Sequence, residues 1–350
     1  MPNDIPKKFE KQHLQNIQRY QKSVRKAYLK AIDKIFNGAF GLKLKNDVFN
    51  IKSYPILNNT IDKALFEFQK ELELILVNGI KGEWELSTEK NADIITKSLA
   101  GRKVADAVNK MIYDPHEKAL EQFIIRQTNG LNLSDRVWKY NTQFRNEIEQ
   151  GLYAGISEGR SSLEMARDQK QYLQEPDKLF RRVRDAKGRL VLSKAARAYH
   201  PGQGIYRSSL KNAFRLTRTE TNDSYRSSDM VRYQSIPFIL GYEVKLSNNH
   251  PKFDICDMLA GTYGKDFVWR KWHAQCMCYS VPKLPSPEDY DKYEDDMLNG
   301  TVDQHTFTGR AQGVPDQFKA YIKDNPERMA NWKRKPDWVT DNKSFTKDLK

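Results

Sequence analysis

Apolar residues recur at helical intervals through the first half of the chain. Ile17, Val24, Tyr28, Ile32 and Phe36 stand among Lys, Arg and Gln, a spacing that predicts an amphipathic helix ending at Gly38. Ile61, Leu65, Phe68, Leu72 and Ile75 repeat the pattern, with Thr60 as the expected N-cap and Gly79 as the expected stop. Weaker helical patterns cover residues 91–100, 104–111 and 117–127. Val137, Tyr140, Phe144, Ile148 and Leu152 share one face of a clearer helix, with Ser134 as its expected cap. A further helix is expected over 162–173, before Pro176.

The pattern changes near Phe180. Two short β-prone runs flank Asp185-Ala186-Lys187-Gly188 and predict a hairpin in which Gly188 takes a positive φ. A helix returns over 208–234 on an arginine-rich polar background, followed by a strand in PFILGYEVKLS with a kink at Gly241. Beyond Pro282 the chain is rich in Pro, Asp and Lys. Short helices are expected there over 287–298 and 315–324, with a charged and mobile end. These elements predict a mainly α protein with a small α+β C-terminal module: a helical body, a β-hairpin and a short-stranded Cys/His module. Along the chain they divide into a helical region 1–176, a module 177–283 and a charged tail 284–350.

With 39% hydrophobic residues, a chain of 350 residues can bury a substantial core. No stretch approaches the roughly 20 apolar residues of a membrane span, and the N-terminus lacks the apolar segment of a signal peptide. A soluble protein made in a cytoplasm is therefore expected. The formal net charge of +14 implies a polyanionic partner, most simply nucleic acid. Fourteen basic residues lie between Lys178 and Arg232 against Asp185, Glu220, Asp223 and Asp229. Arginines predominate among them, which suits bidentate pairing with phosphate or carboxylate. Arg181, Arg182, Arg184, Lys187, Arg189, Lys194 and Arg197 form the candidate nucleic-acid contact; a solvated basic face or an interface to an acidic protein would carry the same charge.

All three cysteines, Cys256, Cys276 and Cys278, fall in one short stretch with His273. Three thiolates and an imidazole can supply four ligands to a soft cation, although the C-x19-C-x-C spacing is not that of a standard zinc ribbon. Buried structural thiols, or a disulfide from Cys256, are the competing readings. Catalytic patterns are weak. Gly155-Ile156-Ser157-Glu158-Gly159 has the letters of a nucleophile elbow but follows a predicted helix rather than a strand. There is no phosphate-binding loop and no deaminase motif. Asp254, Asp257 and Asp266, near His250 and His273, offer the best enzyme case, a divalent ion for phosphodiester cleavage, against a role for Asp254 and Asp257 in capping backbone amides.

The run from RLTRTETNDSYR through GYEVKLS and FDICDMLAGTYG to WHAQCMCYSVP resembles the Mu F-like minor head, or head morphogenesis, proteins of tailed bacteriophages. An R-T-E-x-N helix is followed in that family by a strand, a D-x-C segment with a nearby glycine, and a histidine ahead of a C-x-C pair. Upstream, residues 131–173 are similar to the family's helical region, so the resemblance covers roughly half of the chain. Arg218, Thr219, Glu220 and Asn222 occupy the helix motif. Asp254, Cys256, Gly261, His273, Cys276 and Cys278 occupy the later ones. Leu259 stands where many members carry a second cysteine, Ala274 replaces the usual proline, and Met277 replaces the usual arginine.

The resemblance implies a zinc site of three thiols and one imidazole. It also implies a structural protein without catalytic turnover, carried inside the phage head after assembly in the host cytoplasm. Its partners would be the portal protein, capsid or scaffold proteins and double-stranded DNA held without sequence preference, with no membrane span. A metal-dependent nuclease built on Asp254, Asp257 and His273, or a phage-delivered toxin module, are the alternatives. Arg218 and Glu220, two residues apart on a helix, point apart, and Glu220 is expected to tie the helix to the cysteine module.

Overall fold

A computed structural model describes residues 4–42, 50–102, 104–176, 182–192, 207–247, 253–273, 276–332 and 334–346. The protein is mainly α-helical with a small antiparallel sheet near the cysteines, as the periodicity predicts. Helix α1 spans Asp4–Gly38 and α2 spans Pro55–Ser98. Then come α3 (Asp106–Tyr113), α4 (Glu117–Ile125), α5 (Leu133–Ser157) and α6 (Ser162–Gln174). No helix among the described residues is long and apolar enough to cross a membrane.

Two helical expectations need correction. Gly79 does not stop a helix: α2 runs through it, so the second and third predicted helices are one. An internal glycine costs only about 1 kcal/mol against alanine, and buried Leu72, Leu76, Ile80 and Trp84 flank this one. Thr60 therefore lies inside α2, where its hydroxyl donates to the Ile56 carbonyl at 2.9 Å. Likewise Ser134 is not the cap of α5. Asn132 is, through a capping box in which Asn132 accepts from the Asp135 amide and Asp135 accepts from the Asn132 amide.

Contacts divide the chain into two units, each drawn from separate stretches of sequence. One holds residues 17–79 and 124–218. Its core includes Tyr28, Phe68 and Phe144, whose rings meet at 4.5 to 5.1 Å. Strands β1 (Arg182–Arg184) and β2 (Leu190–Leu192) pair antiparallel in this unit, and Gly188 at the turn has φ +75°, as expected.

The other unit holds residues 1–16, 80–123 and 219–350. Helix α7 (Ser209–Ser235) supplies its residues from Thr219 onward. Strands β3 (Gly241–Lys245), β4 (Gly261–Tyr263) and β5 (Tyr279–Lys283) form a sheet in the order β4-β3-β5, with Tyr242 opposite Tyr263 and Glu243 opposite Val281. Gly241 opens β3 rather than kinking a longer strand. Pro282 sits in β5 at the sheet's edge, where a missing amide is tolerated.

The C-terminal stretch packs into the core over its described residues, which run to 346. Helices α8 (Ile255–Leu259), α9 (Pro287–Leu298), α10 (Asp316–Asp324), α11 (Pro326–Ala330) and α12 (Asp337–Thr340) complete this unit. Tyr290, Tyr293, Phe318, Tyr321 and Trp338 are buried in the same apolar cluster as Tyr263, Phe267, Trp272 and the three cysteines. Acidic and basic residues dominate the composition after Pro282, but the few aromatics, spaced between them, decide the packing.

Candidate metal centre

Cys256 is delivered by the first turn of α8. Asp254 caps that turn: its Oδ1 accepts from the Cys256 amide at 2.6 Å, and its own amide donates to Asp257 Oδ2 at 2.7 Å. Both aspartates therefore spend carboxylate oxygens on the backbone, as their capping reading expects. Gly261, two residues beyond the helix, has φ +156°, and a Cβ there would lie 2.4 Å from Gln317 Nε2, which donates to the Ala260 carbonyl. Only glycine leaves room for that link between α8 and α10.

The three sulfurs converge in a buried cluster, with Cys256 fully enclosed and Cys276 and Cys278 nearly so. All three lie within 4.8 Å of one another, and Cys256 Sγ is 3.7 Å from Cys276 Sγ. Three free thiols result, far outside the roughly 2.05 Å of a disulfide bond. His273 joins from the open side. Its Nε2 lies 3.1 Å from Cys256 Sγ and 3.2 Å from Asp254 Oδ2, both His273 and Asp254 being partly exposed. The cluster can hold a metal ion. Metal–sulfur bonds of about 2.3 Å in a tetrahedron place sulfurs about 3.8 Å apart, close to the Cys256–Cys276 separation.

The electrostatics favour one thiolate. The Cys256 thiol is the main influence holding Cys276 well below the usual thiol range, aided by Cys278 and by the positive charge of Arg226. Hydrogen bonding to Cys276 in turn pushes Cys256 up.

Arg226 fastens α7 to this segment. Its guanidinium donates to the Cys276 carbonyl at 2.6 Å and to the Arg270 carbonyl at 2.8 Å, and lies 5.2 Å from the Trp269 ring centre. Glu220, expected in that role, is buried on the same helix. Arg226 ends the R-T-E-T-N-D-S-Y-R run, and its place in that motif was the available signal.

Asn222 is also buried; His13 bridges its Oδ1, at 2.7 Å, to Glu83, at 2.5 Å, and stacks on Tyr225. One turn further, Asp229 accepts from Ser87, Lys90, Asn91 and Ser280 at 2.6 to 2.9 Å. Sequence reasoning missed this buried polar network. Its trace is the recurrence of Asn222, Arg226, Asp229 and Tyr233 at helical spacing. Arg218 and Thr219 are partly exposed.

The basic segment divides into two kinds of residue. Arg226 and Arg232 are buried, and Arg232 donates to the carbonyls of Ile112 and Asp114 at 2.7 Å, so neither is available to a polyanion. Arg184, Lys187 and Arg189 are exposed on the hairpin, where Arg184 donates to the Gly188 carbonyl and Arg189 pairs with Asp185 at 2.8 Å. Arg181, Lys194 and Arg197 lie outside the described residues, as does the side chain of Arg182. Comparison with protein-family models, curated proteins and solved structures finds no match to this chain.

Proposed function

We propose that the chain is a portal-associated minor head component of a tailed bacteriophage, residing in the head interior, that acts stoichiometrically in capsid assembly and in DNA packaging or ejection. The observation that carries this reading is where the motif residues go. Asn222 and Glu220 are buried, Asp254 caps α8, Gly261 makes room for Gln317, and the cysteines close one buried cluster. Residues used this way build a rigid module that works by shape and docking. Within this reading the ion is zinc, held by Cys256, Cys276, Cys278 and His273; when bound it supplies a structural crosslink between two chain segments.

The exposed Arg184, Lys187 and Arg189 suit non-specific contact with the phosphates of double-stranded DNA. Binding would then weaken steeply as salt rises, because counterions are released, and replacing the three with alanine would flatten that dependence.

The functional test is phage particles assembled with wild-type chain or with Cys276→Ser, scored for incorporation and packaged DNA. The reading expects the variant to be lost from heads. Normal incorporation, together with loss of a metal-dependent DNA cleavage activity, would replace it with the nuclease built on Asp254, Asp257 and His273.

A further inference from the structure

A cleft of about 290 Å³ opens beside the metal centre, with His273 in its wall. It lies within one unit, between the segment that ends α8's loop and the C-terminal helices. Its size is at the lower end of small-molecule sites, which run from about 300 Å³ upward. Trp272, Trp332 and Tyr321 supply its aromatic walls. Trp272 and Tyr321 are only 2% and 4% exposed, so half-buried Trp332 offers the accessible aromatic face.

The charge around the cleft is one-sided. Asp337 is its acidic member, 3.2 Å from Lys271, which also pairs with Asp223 at 2.5 Å. Arg328 and Arg334 are exposed at the rim with Lys335, and Arg334 approaches Asp337 only to 3.8 Å. A matching ligand must offer a planar apolar face and a compact negative charge for guanidinium groups.

We infer that this cleft binds a nucleotide, its base against Trp332 and its phosphate at Arg328 and Arg334, either free or as the 5′-phosphorylated end of a strand. Stacking on aromatic walls accepts any base, and the arginines select for phosphate. The inference stands on the cleft's own residues and does not depend on the head-protein reading.

Calorimetric titration of the full chain tests it, with adenosine 5′-monophosphate, adenosine, inorganic phosphate, and a short oligodeoxynucleotide with or without a 5′-phosphate. The monophosphate or the phosphorylated oligonucleotide should bind saturably, at least tenfold tighter than adenosine or phosphate alone. Whichever of the two binds tighter identifies the source. Arg328→Ala with Arg334→Ala, both at exposed positions that leave the core intact, should weaken binding at least tenfold, and Lys26→Ala, at an exposed position in the other unit, should leave it unchanged. The inference fails if neither probe saturates, if the double variant binds as the wild type does, or if an acidic peptide without phosphate binds more tightly than either nucleotide probe.

Discussion

Replacing Asp229 with leucine removes the centre of the buried polar network while keeping the side chain's branching. Lys90, 1% exposed, would then lose its paired carboxylate; its Nζ keeps a 3.4 Å contact with the Ser280 carbonyl, the Tyr225 ring 4.5 Å away and the weaker attraction of Glu10. Breaking a buried ion pair from one side costs about 3–5 kcal/mol. Ser87, Asn91 and Ser280 also lose an acceptor, so the upper half of that range is expected. With a urea slope of about 2 kcal/mol per molar, a loss of ~4 kcal/mol lowers the midpoint by about 2 M. Tryptophan fluorescence is the suitable probe, because of the six tryptophans only Trp138 lies outside this unit. Adding Lys90→Met should recover at least ~2 kcal/mol, since the orphaned charge goes with it. A loss below about 1 kcal/mol for Asp229→Leu, or a double variant as unstable as the sum of its parts, would refute a tightly coupled buried pair.

The other unit offers a pH test at Glu147, whose carboxylate accepts from the Ser209 amide at 2.8 Å and from its hydroxyl. Burial pushes this carboxyl up to about 8, so between the ordinary carboxylate range and pH 8 the folded state holds a proton that the unfolded chain has lost. Stability should therefore fall as pH rises through that window, and Glu147→Gln should flatten the fall in urea midpoints measured at pH 5, 6.5 and 8. Arg226→Lys keeps the charge but loses the two-pronged grip on the Arg270 and Cys276 carbonyls. It should cost about 2–3 kcal/mol in urea unfolding, and a loss below about 0.5 kcal/mol, the scale of surface changes, would contradict the clamp.

Much of the helical framework was legible because apolar spacing reports burial directly. Ile17, Val24, Ile32 and Phe36 lie in the core as their periodicity predicts, and α9 begins at Pro287 and ends at Leu298, matching its expected span. The convergence of Cys256 with Cys276 and Cys278 was legible from residue type and proximity, whereas His273 meets Cys256 beside Asp254. What misled were local signals overridden by packing. Gly79 reads as a stop, but its flanking apolar residues hold α2 together. The charged C-terminal stretch reads as mobile, but Phe318, Tyr321 and Trp338 bind it into the core. Charge counts also treat every arginine alike, although Arg226 and Arg232 are spent on buried carbonyls, a difference that net charge does not carry.

X-ray absorption at the zinc edge, with elemental analysis of the purified chain, tests the structural metal module most directly. One zinc per chain is expected, with three sulfur neighbours at about 2.3 Å and one nitrogen at about 2.0–2.1 Å, and Cys276→Ser should abolish the signal while lowering the unfolding midpoint. A metal-free chain as stable as the metal-loaded one, or a shell made only of oxygen and nitrogen, would contradict it.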